Sequence, residues 1–186
     1  MRLRYHSKSG LRPVACSSTL SPGGRAVGDL SEFSLPIRMF LRGYRWRVVD
    51  PVPWAPLRVP LARARLALFS SAGFVMPGQP AFDEGIRGGD PSFREIPSDA
   101  DPAALVDTHR SESFDHAGMQ SDPNLAFPLQ RARELALRGR IGSLNHRHWS
   151  FMGSITAPGR FVAETLPRMA ADALADGVQA ALLVPV

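Results

Sequence analysis

The chain has 186 residues, 44% of them hydrophobic, enough for one domain with a real core, and it carries a net charge of +5. No apolar run approaches the length of a membrane span, and the start lacks the continuous apolar stretch of a secretory signal. One cysteine, Cys16, allows no intramolecular disulfide, a usage compatible with a cytoplasmic protein.

The charge is unevenly spread. Residues 1–65 hold 12 Lys and Arg against 3 Asp and Glu, whereas residues 66–186 hold 10 against 14. No stacking-aromatic or helix-turn-helix pattern accompanies the basic third, so neither a nucleic-acid nor a membrane partner is expected.

Residues 1–27 are rich in Ser, Gly and Arg without periodicity and read as a disordered tail. Two readings stand: an over-extended start, or a transit peptide, since no acid occurs before Asp29. Residues 28–64 form the next region. Pro36 to Trp46 suits a short amphipathic helix, with Ile37, Phe40, Leu41 and Tyr44 on one stripe. "DPVPWAPLRVP" follows, with four prolines in eleven residues, and must be an extended, wrapping segment.

Residues 65–186 read as an α/β domain. "ARLALFS" is the best strand, followed by a turn at Ser70, Ser71 and Gly73. Met76 to Pro102 is a long Gly-, Pro- and Asp-rich loop, and a second strand is expected near Leu105 to Thr108. "SDPNLAFPLQRARELALRGRIGSL" reads as a helix capped by Asp122 or Asn124 and ended by Gly139 or Gly142. "PGRFVAETLPRMAADALADG" reads as another, with Pro167 as a kink and Gly177 as the stop. "QAALLVPV" then suits a buried strand. Strands alternating with helices predict an α/β sandwich with a mainly parallel sheet, in which the first and last strands are neighbours near the centre.

Four constellations can carry chemistry. In "FDHAGMQSDPN", His116 beside Asp115 suits a general acid/base or metal-ligand pair, or else plain turn and cap chemistry. In "SLNHRHWSFMG", His146 and His148 share a face if on a strand; they suit proton transfer, an anion or a metal, or a polar turn. In "SSAGFVMPGQ", small residues after a strand let backbone N–H groups approach a ligand, with neither a phosphate-loop motif nor a nucleophile elbow around Ser70. Arg94 can clamp a carboxylate or pair with Glu95 or Asp99. No spacing diagnostic of zinc is present.

"FSSAGFVMPGQPAFD", "GGDPSFREIPSD", "THRSESFDHAGMQSDPNLAFPLQRARELALRGRIGSLNHRHWSFMGSI" and "DGVQAALLVPV" together resemble the selenoprotein B subunit of the glycine, sarcosine, betaine and D-proline reductases. The similarity is greatest to the short D-proline-reductase-like members and covers roughly Leu35 to Val186. It implies reductive cleavage of a C–N bond in an amino acid or N-methylated derivative, with a dithiol as electron donor. It implies a selenocysteine or cysteine directly after the strand ending at Val186, and a pyruvoyl group on a partner subunit. The sequence given stops where that residue is expected, so truncation at a selenocysteine codon, a sheet incomplete at its C-terminal side, and no activity of this chain alone are expected. Beyond the missing selenocysteine, no cofactor is expected on the chain itself, and no metal. The resemblance assigns His116, His146, His148 and Asp115 to catalysis and Ser70, Ser71, Gly73, Arg94 and Ser154 to the substrate. A pyruvoyl-bearing subunit, a thiol electron carrier and a small amino-acid substrate are the expected partners. A non-catalytic assembly module and a metal- or His-dependent hydrolase are the alternatives.

Overall fold

The computed structural model describes residues 30–44, 49–53, 55–111 and 115–186. The chain divides into two compact units, Met1–Pro53 and Trp54–Val186. The predicted disordered tail, with Cys16, lies outside the described residues, as does Trp46.

In the first unit a 3-10 turn at Leu30–Glu32 precedes α1 (Leu35–Gly43). Pro36 stands in the first turn, where its missing N–H is no loss. The helix ends earlier than predicted because Tyr44 is extended (φ −70, ψ 126). The predicted stripe forms, with the Phe40 and Tyr44 rings 5.6 Å apart, yet no α1 residue is buried.

The second unit is built around β1 (Arg65–Ser70). It continues with β2 (Phe74–Val75), β3 (Phe93–Pro97), β4 (Val106–Asp107), α2 (His116–Ser121) and α3 (Leu129–Leu137). β5 (Ser143–Leu144) and β6 (Arg147–Phe151) come next. A π-helical segment, Phe161–Thr165, then runs into α4 (Leu166–Ala175), and β7 (Ala180–Val184) ends the fold. This is the predicted α/β class with a mixed, mostly parallel sheet. β5, β6 and β7 all run parallel to β1, and β3 pairs antiparallel with β6. β2 and β4 form a separate antiparallel ribbon.

Side chains of β1 alternate between two cores. Leu66 and Leu68 pack with Phe127, Leu129 and Ala132, while Ala67 packs with Trp149, Met169 and Ala173. β5 and β6 are one strand with two residues inserted: Leu66 lies opposite Leu144, but Phe69 lies opposite Trp149. The bulge removes a ladder acceptor, and the His148 ring replaces it, its Nδ1 accepting the Leu68 N–H at 3.1 Å.

Two expectations need correction. β7 does neighbour β1, from Leu66↔Ala180 to Ser70↔Val184, but it is an edge strand rather than a buried central one. Leu183 is 69% exposed, and among the described residues β7 pairs with β1 alone. The single helix predicted from Ser121 onward is instead a 3-10 turn at Pro123–Leu125 followed by α3, and α2 precedes them as a separate helix. Pro128 enforces the break, since the residue before a proline is pushed out of helical geometry, and Phe127 turns into the core. Pro167 produces a π-turn before it, where its absent N–H leaves the normal ladder short of a donor.

Candidate functional site

The carboxyl end of β1 and β7 is assembled by backbone contacts. Ser71 N–H donates to Val184 O (3.1 Å), and the Ser71 hydroxyl brackets Val186, accepting from its N–H (2.9 Å) and donating to its carbonyl (3.2 Å). Gly73 has φ +66, and a Cβ there would lie 3.2 Å from His109 Cα, so only glycine suits the turn. Thr108 binds the Gly73 carbonyl through both its N–H (3.2 Å) and its hydroxyl (2.6 Å). The β2–β4 ribbon thereby delivers Asp107 and His109 to the end of β1.

Asp107 joins the backbone of one histidine to the ring of another. Its Oδ1 accepts the His109 N–H at 2.9 Å, and its Oδ2 pairs with His116 Nδ1 at 2.5 Å. His116 Nε2 faces the Ser111 carbonyl at 3.0 Å. With an acceptor at each ring nitrogen, His116 is favoured doubly protonated, and its pKa is raised, first by Asp107 and then by the Ser111 carbonyl. His109 is buried, and burial holds its pKa below the ordinary value against the opposing pull of Asp107. The two rings lie 6.4 Å apart. One imidazole is thus biased to the cation and the other to the neutral form.

Asp115 caps α2 by accepting the Gly118 N–H (2.9 Å), so the carboxylate that pairs with His116 is Asp107. Ser154 accepts from Arg110 Nε at 3.5 Å, at the margin of this end of the sheet. The small-residue turn offers no free N–H row among its first three residues. Ser71 N–H goes to Val184, Ala72 N–H to Ser70 Oγ and Gly73 N–H to Phe151 O. Ser70 is buried and donates to Ala126 O (2.6 Å), so no Ser70–His116 pair exists.

The other expected residues stand elsewhere. His148 is fully buried against Phe127 inside the sheet, and burial, followed by the nearby Arg133 cation, pushes its pKa down to about 4. His146 sits at the amino end of β6, 3.9 Å from Asp176, which precedes β7. His116 and His146 therefore do not share a pocket; they lie toward opposite ends of the parallel strands. Asp176 there is held by Arg147, which drops its pKa to about 2. Arg94 donates to Pro80 O, Ala81 O and Ser92 Oγ and lies over the Phe82 ring, which ties down the long loop. Among the described residues no group of three or more His, Cys, Asp or Glu is arranged for a metal ion, and no helix is long and apolar enough to cross a membrane.

Asp107 and His109 escaped the sequence reading. The signal was "VDTH": an acid and a histidine bracketing the end of a short strand, near in sequence to His116. Beside Ser71 and the end of β7 lies an open apolar groove of ≈ 430 Å³, walled by Phe69, Phe151, Leu166, Met169, Leu183 and Pro185.

The fold and site define an α/β domain whose chemistry-bearing residues gather outside the carboxyl ends of parallel strands, the usual ligand position in open α/β sheets. The chain is 32% identical over 136 residues to D-proline reductase subunit gamma of Acetoanaerobium sticklandii, a match covering 73% of this chain and 54% of that protein. That similarity supports a relation to the reductase family. The chain spans about half the length of the curated relative it matches. No family model matches it, and no solved structure does.

Proposed function

We propose that the chain is a subunit of an amino-acid reductase that cleaves a C–N bond next to a carboxylate, and that the reaction takes place at the carboxyl end of β1 and β7. The observation that carries this reading is the similarity to D-proline reductase subunit gamma along 136 residues. The substrate gains two electrons and two protons: the C–N bond becomes C–H and N–H, and a dithiol is oxidised to a disulfide. A selenocysteine or cysteine following Val186 supplies the nucleophile and a pyruvoyl group on a partner subunit the electron sink. The Gly153 position favours this. A Cβ there would fall 2.8 Å from Ser71 O and 3.0 Å from Val186 O, so a glycine is what lets the backbone after β6 pack this closely against the chain leaving β7.

In this reading Ser71 fixes the direction of the chain at Val186 through its two hydrogen bonds. Asp107 holds His116 protonated at Nδ1, and the cluster supplies the protons that the broken bond requires. The apolar groove beside Ser71 gives the nucleophile a weakly solvating wall. The exposed apolar face of β7 supports a second reading, an assembly module without its own chemistry. Co-expression with a pyruvoyl-bearing subunit, with Cys or selenocysteine following Val186 and a dithiol present, separates the two. Loss of D-proline or a related amino acid is expected; no turnover, with the complex still formed, favours the assembly module.

A further inference from the structure

We infer that Arg110, rather than Arg94, is the guanidinium that takes the substrate carboxylate, and that it sets the preference of this end of the sheet for a small ligand bearing one such group. This rests on the reductase reading above.

The arginines differ in where their donors go. A guanidinium carries five N–H groups and no acceptor. Arg94 directs its donors to Pro80 O, Ala81 O, Ser92 Oγ and Phe93 O, within and beside the long loop. Arg65 and Arg147 serve Asp176 at the amino end of the strands, and Arg133 binds Ser98 O and Ala100 O. Among the described residues the Arg110 guanidinium makes one hydrogen bond and no ion pair. That bond runs from Nε to Ser154 Oγ at 3.5 Å, the outer limit for such a contact. Its two terminal nitrogens are uncommitted, and a guanidinium edge of this kind matches the two oxygens of a carboxylate.

The place fits the reaction. Arg110 follows His109 just past β4, and the pairing of β4 with β2 holds that segment at the carboxyl end of β1. Ser154 follows Gly153, whose backbone packs against Ser71 O and Val186 O. Arg110 is half-buried, so its charge is screened less than that of an arginine in open solvent. The neighbouring charges leave one cation over. Asp107 is committed to the His109 N–H and to His116, and His116 has an acceptor at each ring nitrogen. Among the described residues, the Asp107 carboxylate and the His116 imidazolium balance each other, burial biases His109 to the neutral form, and Arg110 remains. A single carboxylate is its complement. In the reductase reading the substrate nitrogen is held by the pyruvoyl group of the partner subunit, so the carboxylate is the handle left to this chain.

The test titrates the full chain with D-proline and, in parallel, with D-prolinamide, which keeps the ring and the amine but lacks the anion. The ¹⁵Nε resonance of Arg110 and the dissociation constant are read together. D-Proline is expected to shift that resonance, and Arg110→Met is expected to weaken D-proline binding about tenfold, the usual scale for losing a charge-assisted hydrogen bond. Arg110→Lys keeps the charge without the fork and recovers part of the affinity. Arg138→Met removes an exposed cation past the end of α3 and leaves the affinity unchanged. D-Prolinamide binds the parent and Arg110→Met alike. The resonance is read in the parent, so the test stands if a variant fails to fold. An Arg110 resonance that ignores D-proline, equal D-proline affinity in parent and Arg110→Met, or an equal loss in Arg138→Met overturns the inference. Turnover with the pyruvoyl-bearing subunit is measured separately. D-Proline held by Arg110 without turnover sinks the reductase reading and leaves the carboxylate site standing; turnover with an unchanged KM in Arg110→Met does the reverse.

Discussion

Acid is expected to destabilise the protein through His148, and the size of the effect can be worked out. The ring is fully buried, its Nδ1 accepts the Leu68 N–H, and its folded pKa is about 4 against 6.5 for an ordinary histidine. As pH falls below 6.5 the unfolded chain takes up a proton at this residue, while the folded chain does so only near 4. Stability is therefore lost progressively between those two values. At about 1.4 kcal/mol for each pH unit the loss reaches about 3 kcal/mol, a large part of the total stability of an ordinary domain. His148→Asn removes the titration, and its Oδ1 can still accept the Leu68 N–H. Urea unfolding followed by circular dichroism from pH 7.5 to 4 gives both stability curves. Their difference cancels the other ionisable groups, including His116, whose raised pKa acts in the opposite sense. The wild type is expected to lose about 3 kcal/mol relative to the variant over this range. Parallel curves would refute the assignment of His148 as a neutral member of the sheet.

Asp107→Asn is expected to bring the His116 pKa down toward its ordinary value, seen as a shift of the midpoint to lower pH in an NMR titration of the imidazole. Arg147→Met leaves Asp176 without its main partner and should destabilise the fold by about 2 kcal/mol in urea unfolding, since hydrogen bonds between charged groups are the strong ones. Leu183→Glu places a charge on the exposed face of β7 and is expected to lower binding of a hydrophobic dye while leaving the thermal midpoint almost unchanged.

Much of the fold is legible in local pattern. The apolar run of β1, the stripe of α1 and the left-handed Gly177 after α4 (φ +74) are all encoded within a few residues. The candidate site is less legible because register and bulges decide it. His146 and His148 are two residues apart and share a face if both lie on a strand. The insertion between β5 and β6 places His146 before the strand and His148 within it, so one faces Asp176 and the other the core. Arg94 has the chemistry of a carboxylate clamp, but three loop acceptors lie within its reach and take its donors. His109 becomes meaningful only once β4 pairs with β2, more than thirty residues earlier in the chain, and sets it beside Ser71 and Gly153. No local window contains that pairing.

The two ends of the parallel strands divide structural and chemical work between them. At the amino end, Arg147 binds Asp176 and Glu95, Asn145 donates to Asp176, and Arg65 reaches the Asp176 carbonyl. These groups are matched to one another, and Asp176 is held ionised down to about pH 2, so this end fixes the start of β1, β6 and β7 and keeps its charge through ordinary changes of pH. At the carboxyl end the titrating groups are two histidines that share Asp107 and are biased in opposite directions. The pair lies at the end of the sheet where Ser71 holds the Val186 backbone in place. The matched charges at the amino end hold strands together, whereas Asp107, His109 and His116 meet at the end where β7 delivers the chain. Under the proposed reductase reading, that is the physical ground for looking to Asp107, His109 and His116, and not to the His146–His148 pair.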